Sequence, residues 1–287
     1  MEVIQSVAVL REQIQTWRDT GERIAFVPTM GNLHEGHLSL VRYAKSLADR
    51  VVVSIYVNPT QFGANEDFGA YPRTLGEDCQ KLMRAGAHLV FTPDESAMYP
   101  FGVARATIVS VPGITSVLDG RHRPGHFDGV ASVVCRLFAM VTPDVALFGQ
   151  KDYQQVMVIR HMVRDLSLPI HVVKVPTQRA EDGLALSSRN QYLTEAQRAI
   201  APTLYRELQR VSAALLDGDR GYKKLRVEAR ATLEEAGFLP DYVTIRNPQT
   251  LKKSKPDDRE WVVLGAATLG KARLIDNLEV AMGNDSP

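Results

Sequence analysis

The amino-acid sequence predicts a doubly wound α/β domain built on a parallel sheet, followed by a smaller α+β domain. Apolar strand-like runs alternate with segments of helical period as far as residue 176. The run at 51–57 is unbroken, which is typical of a strand buried on both faces of a parallel sheet. Beyond residue 176, long helical segments precede two strand-like runs. We therefore expect a larger domain over 1–176, with ligands at the carboxyl ends of its strands, and a smaller lid domain over 177–287.

The larger domain is expected to begin with an amphipathic helix over residues 5–19, where apolar residues recur at helical spacing. A strand over 23–27 then leads through a turn containing Gly31 into a helix that begins just after His37. The pattern predicts further strands at 51–57, 89–91, 107–111, 145–148 and 170–175, and further helices near 74–85, 127–141 and 152–166.

In the smaller domain, Thr194 and Gln197 have the spacing of a capping box at the start of a long helical stretch. Gly218 and Gly221 interrupt that stretch, and a second helix continues to about Gly237. Strands are expected at 241–245 and 261–264, on either side of the charged segment 252–260.

The composition excludes several classes of protein. The 287 residues carry 34 Lys and Arg against 33 Asp and Glu, so the net charge of +1 provides no broad basic face for a polyanion. The two cysteines, Cys79 and Cys135, are too far apart for a CxxC redox or zinc pair. The sequence has no secretory signal and no apolar run of membrane-spanning length, so we expect a cytoplasmic protein.

The first stretch that suggests chemistry is 28–37, between the first predicted strand and its helix. Gly31 and Gly36 have the spacing of a P-loop, but His37 stands where the phosphate-binding lysine would be, and a GxGxxG motif is absent. His34 and His37 are three residues apart, which excludes an HExxH metal helix. Two imidazoles beside the backbone N–H groups of a helix start are suited to donating hydrogen bonds to phosphate oxygens.

Two more donor-rich loops follow later strands, at 149–152 and 182–190. Gly149 permits close backbone approach, Lys151 offers a point charge, and Arg189 can grip a phosphate bidentately. Each loop alone is equally typical of a solvated surface, but three at successive strand ends favour one polyphosphate ligand. Gln61 and Gln155 are amides that can bind a hydroxy acid. The basic segment 121–127 is as typical of a solvated loop as of a binding site.

Six stretches, taken together, closely resemble the pantoate–β-alanine ligase family: 28–37, 57–62, 71–74, 123–127, 148–155 and 182–190. The resemblance implies a Rossmann-like domain of the nucleotidyltransferase type, with the HxGH signature at 34–37. It implies ATP-dependent condensation of (R)-pantoate with β-alanine to pantothenate, AMP and pyrophosphate, through a pantoyl adenylate. It further implies Mg²⁺ bound with ATP, and a homodimer. From the net charge of +1 and the lack of a membrane-spanning run, we expect no nucleic-acid or membrane partner.

The resemblance also assigns site residues. Pantoate is expected at Gln61 and Gln155, with Gln61 also serving β-alanine, and no residue is assigned to a metal. The expected catalytic residues are His34, His37, Lys151, Ser188 and Arg189, among which His37 is the family's proton donor and is expected to act mainly by electrostatics. The ATP site is expected to comprise Met30, Gly31, Asn32, Leu33, His34, Glu35, Gly36, His37, Gly149, Gln150, Lys151, Asp152, Gln178, Leu186, Ser187, Ser188 and Arg189.

One residue departs from the family pattern, and the residues disfavour two other functions. Gln150 replaces a glutamate usual in the family, and the nearly isosteric amide is expected to cost little. The stretch 272–277 also resembles the family, without an assigned catalytic residue. A nucleotidyltransferase acting on a phosphate acceptor is disfavoured by the two glutamines. A nucleotide-sensing or RNA-binding protein is disfavoured by the intact donor set.

Overall fold

The computed structural model describes residues 1–63, 66 and 68–282. Contacts within this part of the chain divide it into two compact units. The first comprises Met1–Gln150 and Gln154–Pro176. The second comprises Lys151–Tyr153 and the chain from Thr177 onward, so a three-residue piece of the earlier sequence belongs to it.

Parallel strands form the sheet of the first unit: β1 (Glu2–Ile4), β2 (Ile24–Thr29), β3 (Arg50–Ile55), β4 (Leu89–Phe91), β5 (Val145–Gly149) and β6 (His171–Val175). Their order is β1-β4-β3-β2-β5-β6. The strand β2 pairs with β3 on one side, Ile24 opposite Arg50, and with β5 on the other, Ala25 opposite Val145. The chain therefore changes direction across the sheet between β2 and β5, which is where such sheets bind ligands.

Helices of the first unit lie between these strands: α1 (Val7–Asp19), α2 (Glu35–Ala44), α3 (Leu75–Ala85), α4 (Glu95–Met98), α5 (Asp119–His122), α6 (His126–Val141) and α7 (Tyr153–Asp165). The sequence predicts all of them except the four-residue helices α4 and α5. The helix expected to begin just after His37 begins at Glu35 instead, so His37 lies in its first turn. Apolar residues from β2, β3 and β5 pack with α2 and α3 in one buried cluster. Burial on both faces explains the unbroken apolar run of β3.

The prediction of a strand at 107–111 is wrong, because this segment forms no strand in the structure. The backbone of this segment bonds to side chains of α6 instead of a neighbouring strand. Val109 donates its N–H to Ser132 Oγ at 2.8 Å, and Arg136 donates to the carbonyl of Thr107 at 2.5 Å. The prediction also omitted β1, whose three residues are too short for a periodic pattern to reveal.

The second unit packs three helices on an antiparallel sheet of order β7-β8-β9. Its elements are α8 (Glu195–Ile200), α9 (Thr203–Leu216), α10 (Tyr222–Glu235), β7 (Leu239–Arg246), β8 (Glu260–Leu269) and β9 (Ala272–Ala281). The capping box at Thr194 and Gln197 is confirmed, but the helical stretch breaks at Pro202 into α8 and α9. The prediction of two strands omitted β9, where buried polar residues interrupt the apolar alternation.

None of the described helices is long and apolar enough to cross a membrane.

Candidate active site

The loop after β2 holds an unusual backbone conformation just before the two histidines. Gly31 and Asn32 have φ angles of 81° and 50°, in the left-handed region that disfavours most side chains. A Cβ at Gly31 would lie 3.1 Å from both Asp78 Oδ2 and Ile55 Cγ2, which is tighter than an ordinary Cβ contact. The loop therefore has one tightly defined path from Met30 to the start of α2.

A buried carboxylate fixes that path. Asp78, on α3, has no exposed surface, and its Oδ2 and Oδ1 accept the backbone N–H groups of Asn32 and Leu33, each at 2.8 Å. Thr74 Oγ1 donates to the same carboxylate at 3.1 Å. Lys81, one turn further along α3, donates to the carbonyl of Leu33 at 2.9 Å. The helix α3 thus holds both the N–H and the C=O groups of the loop.

His34 and His37 form a capping box in which imidazoles replace the usual hydroxyl and carboxylate. His34 is the N-cap of α2, and its Nδ1 accepts the N–H of Gly36 at 3.1 Å. His37 Nδ1 accepts the N–H of His34 at 3.4 Å. A ring nitrogen that accepts a hydrogen bond carries no proton, so each neutral ring has its proton on Nε2. The two ring planes are tilted by 41° with centroids 4.1 Å apart, which groups two Nε2–H donors at the start of a helix.

Gln61 lies on the turn after β3 and contacts this loop. Its Nε2 donates to Met30 Sδ at 3.1 Å, and its Oε1 accepts from Asn58 Nδ2 at 3.1 Å. Asn58 is 1% exposed, and the Tyr99 hydroxyl donates to its Oδ1 at 2.6 Å. A buried polar network therefore orients the amide of Gln61.

The basic segment 121–127 supports the main chain of Gln61. Arg123 donates to His126 Nε2 at 3.0 Å, so the ring proton is on Nδ1, which donates to the carbonyl of Gln61 at 2.8 Å. Burial, and then the charge of Arg123, lowers the pKa of His126 to about 4. Arg123 is in turn paired with Glu66 through two hydrogen bonds, at 2.7 and 2.5 Å. The sequence left open whether the segment 121–127 is a solvated loop or part of a binding site. The contact between His126 and the carbonyl of Gln61 favours part of the site.

The remaining predicted residues of the first unit lie near the end of β5. Gly149 closes the strand, Gln150 begins the following 3₁₀ turn, and Gln155 is in the first turn of α7, each partly exposed. The neighbouring Gln154 is 3% exposed and donates to the carbonyls of Ile114 and Val117. The two adjacent glutamines thus differ, because Gln154 anchors a loop whereas Gln155 remains accessible.

In the second unit, residues 178–186 form a short hairpin that leads into Ser187, Ser188 and Arg189. Leu186 donates its N–H to the carbonyl of Gln178, and Ala180 donates to Leu184, both at 2.9 Å. Gly183 has a φ of 93°, and a Cβ there would lie 2.7 Å from the Tyr205 ring. The hairpin explains why Gln178 and Leu186, eight positions apart in sequence, lie side by side.

The end of the hairpin starts a 3₁₀ helix, Ser188–Tyr192, that Ser187 caps. Ser187 Oγ accepts the N–H of Arg189 at 3.3 Å. Lys151 and Asp152 also belong to this unit, and Lys151 Nζ lies 3.8 Å from Asp152 Oδ1. The lysine side chain is 18% exposed and the aspartate 47%, so the aspartate is the more accessible to a ligand.

Comparison with known proteins decides the family. The sequence model described as Pantoate-beta-alanine ligase matches residues 2–279. The chain belongs to this family. It is 55% identical over 282 residues to a pantothenate synthetase of Ectopseudomonas mendocina (strain ymp), covering 98% of this chain and 99% of that protein. It is 54% identical to a pantothenate synthetase of Pseudomonas fluorescens over the full length of both chains.

Solved structures of pantoate–β-alanine ligases have the same fold. Pantothenate synthetase from Thermus thermophilus superposes with a TM-score of 0.91 at 45% identity, covering 98% of this chain and 100% of that one. The Francisella tularensis ligase, complexed with β-γ ATP and β-alanine, gives 0.78 at 34% identity, covering 97% of each chain. The Rossmann-like fold class expected from the sequence is thereby confirmed.

The sequence of this pantoate–β-alanine ligase did not reveal the residues that hold the site loops in place by hydrogen bonds. Asp78 and Lys81 hold the loop before His34, and Asn58 orients Gln61. In the second unit, Asp276 and Asn277 of β9 contact residues of the hairpin and of the Lys151 segment. One signal was available: 272–277 resembles the family but places two polar residues in the middle of a strand.

Proposed function

We propose that this chain condenses pantoate with β-alanine to form pantothenate, AMP and pyrophosphate, with ATP as co-substrate and a pantoyl adenylate as intermediate. The observation that carries the proposal is the family match, which covers residues 2–279 and therefore every loop discussed above. The enzyme is a ligase that forms a C–N amide bond.

The first step transfers AMP to the acid. A carboxylate oxygen of pantoate attacks the α-phosphorus of ATP, an O–P bond forms, and the bond to pyrophosphate breaks. Negative charge grows on the leaving pyrophosphate, so fixed donors that meet it lower the barrier. We assign this task to the Nε2–H groups of His34 and His37 and to Lys151, Ser188 and Arg189. None of them need become covalently attached to the substrate.

The second step forms the amide. The neutral amine of β-alanine attacks the acyl carbon, AMP leaves with one oxygen of the original carboxylate, and the amine loses a proton. Gln61 supports this step in our proposal, because its amide both donates and accepts and its orientation is held by Asn58. The acid is held by Gln61 and Gln155 together, so that its carboxylate is presented to the nucleotide.

Magnesium is a further proposal. Within the ranges that the structure describes, no group of three or more His, Cys, Asp and Glu side chains is arranged to hold a metal ion. The proposed ATP loops carry mainly N–H, hydroxyl and cationic groups, with Asp152 an accessible carboxylate. Such a set suits Mg²⁺ held chiefly by ATP oxygens and water, where it would neutralise phosphate charge. Homodimerisation and a cytoplasmic location also remain proposals.

The experiment that tests the function follows pyrophosphate release and the adenine product. Release should require pantoate, and AMP should accumulate in step with pantothenate once β-alanine is added. Release without pantoate would favour a different nucleotidyltransferase. ADP as the product would contradict an adenylate intermediate.

A further inference from the structure

The buried dipeptide Asp276–Asn277 of β9 is the feature from which we draw this inference. Both residues are polar and almost fully enclosed, with exposed fractions of 4% and 1%. They interrupt a strand whose neighbouring residues pack in the core of the second unit. A polar pair that displaces apolar side chains from a core costs stability unless its groups are satisfied, so its contacts identify its task.

Asp276 reaches the phosphate-loop hairpin through Arg179. The two side chains form a bidentate pair, with Nη1 to Oδ2 at 2.5 Å and Nη2 to Oδ1 at 2.8 Å. Arg179 also donates to the carbonyl of Gly183 at 3.0 Å, and its guanidinium carbon lies 3.6 Å from the centroid of the Tyr205 ring. The guanidinium therefore ties the turn of the hairpin to β9 and α9, and leaves the hairpin little freedom to tilt.

Asn277 reaches the other loop. Its Nδ2 donates to the carbonyl of Lys151 at 3.0 Å, and its own N–H donates to Asp276 Oδ1 at 2.7 Å. Two residues further along β9, Glu279 Oε1 lies 2.8 Å from the hydroxyl of Tyr153. One strand thus contacts both ends of the segment 151–153, which explains why these three residues belong to the second unit.

We propose that Asp276 and Asn277 are positioning residues that fix the spacing between Lys151 and the Ser187–Arg189 segment, so that both meet one triphosphate. Adjacent residues of a single strand hold the two loops, so any movement of one relative to the other must break a buried hydrogen bond. The inference rests on the proposed function, since it assumes that both loops bind ATP. It gives the stretch 272–277, which has no catalytic residue assigned to it, a definite task.

The test compares three isosteric variants. Asp276→Asn removes the charge and one acceptor for Arg179, and Asn277→Asp removes the donor to Lys151. The matched control is Asp241→Asn. Asp241 of β7 pairs at 2.7 Å with Arg273 of β9, the strand that carries Asp276 and Asn277, and we propose no part in ATP binding for this ion pair. We expect both site variants to raise the KM for ATP by about 100-fold, and the control to change it less than about twofold. The KM for β-alanine should stay within about threefold in all three.

A general effect on folding is separated from positioning by a further variant. Arg179→Met combined with Asp276→Leu replaces the ion pair by apolar groups, which proteins often tolerate without loss of stability. A melting temperature near that of the wild type, together with the raised KM for ATP, supports positioning. If Asp276→Asn does not fold, Arg179→Lys is measured in its place, because it keeps the charge and loses the bidentate geometry.

An unchanged KM for ATP in the folded site variants overturns the inference, as does an equal rise in the Asp241→Asn control. Failure of the proposed function is distinguishable, because the wild-type protein itself would then release no pantoate-dependent pyrophosphate.

Discussion

Two loops with the same proposed ligand are held in different ways. The loop before His34 is fixed directly, since both oxygens of buried Asp78 accept backbone N–H groups. The hairpin before Arg189 is fixed indirectly, since Asp276 acts through the guanidinium of Arg179. The first arrangement secures a backbone with positive φ angles at Gly31 and Asn32. The second secures an otherwise ordinary hairpin against tilting.

This difference has a physical consequence. A carboxylate that accepts two backbone N–H groups cannot be replaced by an amide without turning a donor toward a donor. A carboxylate paired with an arginine can be removed together with its partner. Asp276 accepts the backbone N–H of Asn277 in its own strand, but it reaches the hairpin through the side chain of Arg179. We therefore expect any substitution of Asp78 to disturb the first loop. The hairpin, by contrast, should keep its fold when Arg179 and Asp276 are both replaced.

The largest effect is expected from the donors themselves. His37→Ala and Arg189→Ala should each lower the rate of adenylate formation by about 10²–10³-fold, because each removes a donor to growing phosphate charge. The measurement is pantoate-dependent pyrophosphate release, with circular dichroism to check the fold. His161→Ala, which removes an exposed histidine of α7, is the control. An unfolded His37→Ala protein would show that the capping box has a structural role instead.

Asp78→Asn should affect both activity and stability. The amide turns an NH₂ group toward a backbone N–H, so one buried donor loses its acceptor at a cost of about 1–3 kcal/mol in the free energy of unfolding. Thr74→Val provides a graded comparison, because it removes only one hydroxyl donor to the same carboxylate and should cost about 1 kcal/mol. Urea denaturation measures both. Equal losses in the two variants would contradict the direct attachment of the loop.

Gln61→Ala tests whether the acid site is separate from the phosphate loops. We expect the KM for pantoate to rise by about tenfold or more, as befits a lost hydrogen-bonded contact, while the KM for ATP changes by less than about twofold. Steady-state kinetics with each substrate varied in turn gives both values. Equal shifts in the two would remove Gln61 from the acid site.

The smallest effect concerns the support behind Gln61 at acid pH. The pKa of His126 is lowered to about 4, from an ordinary value near 6.5. Between these values the unfolded chain binds a proton that the folded chain does not, so stability should fall as the pH drops through this window. His126→Asn removes this contribution and should flatten the decline between pH 6.5 and 4. A decline as steep in the variant as in the wild type would assign it to other groups.

The sequence predicts most of the fold because its elements are long and strongly patterned. The buried runs of β3 and β5 and the amphipathic helices α1 and α3 follow directly from apolar spacing. The errors have local causes. The segment 107–111 has strand-like residues, but its backbone groups bond to Ser132 and Arg136, and no pattern reveals partners so distant along the chain.

The candidate site also contains residues that the sequence predicts and residues that it does not. Residues that would face a ligand, such as His34 and Arg189, belong to recognisable motifs. Residues that hold them, such as Asp78 and Asp276, do not, because a buried carboxylate looks like any other acidic residue until its distant partners are known. Asp78 lies on an otherwise ordinary amphipathic helix, and only the structure brings it to the backbone of Asn32.

The central claim, amide formation through a pantoyl adenylate, is tested most directly by following one oxygen atom. Pantoate labelled with ¹⁸O in its carboxylate is converted in the presence of ATP and β-alanine, and the products are analysed by mass spectrometry. We expect one ¹⁸O atom in the phosphate of AMP for each pantothenate formed. Label in inorganic phosphate or pyrophosphate, with none in AMP, would contradict the adenylate.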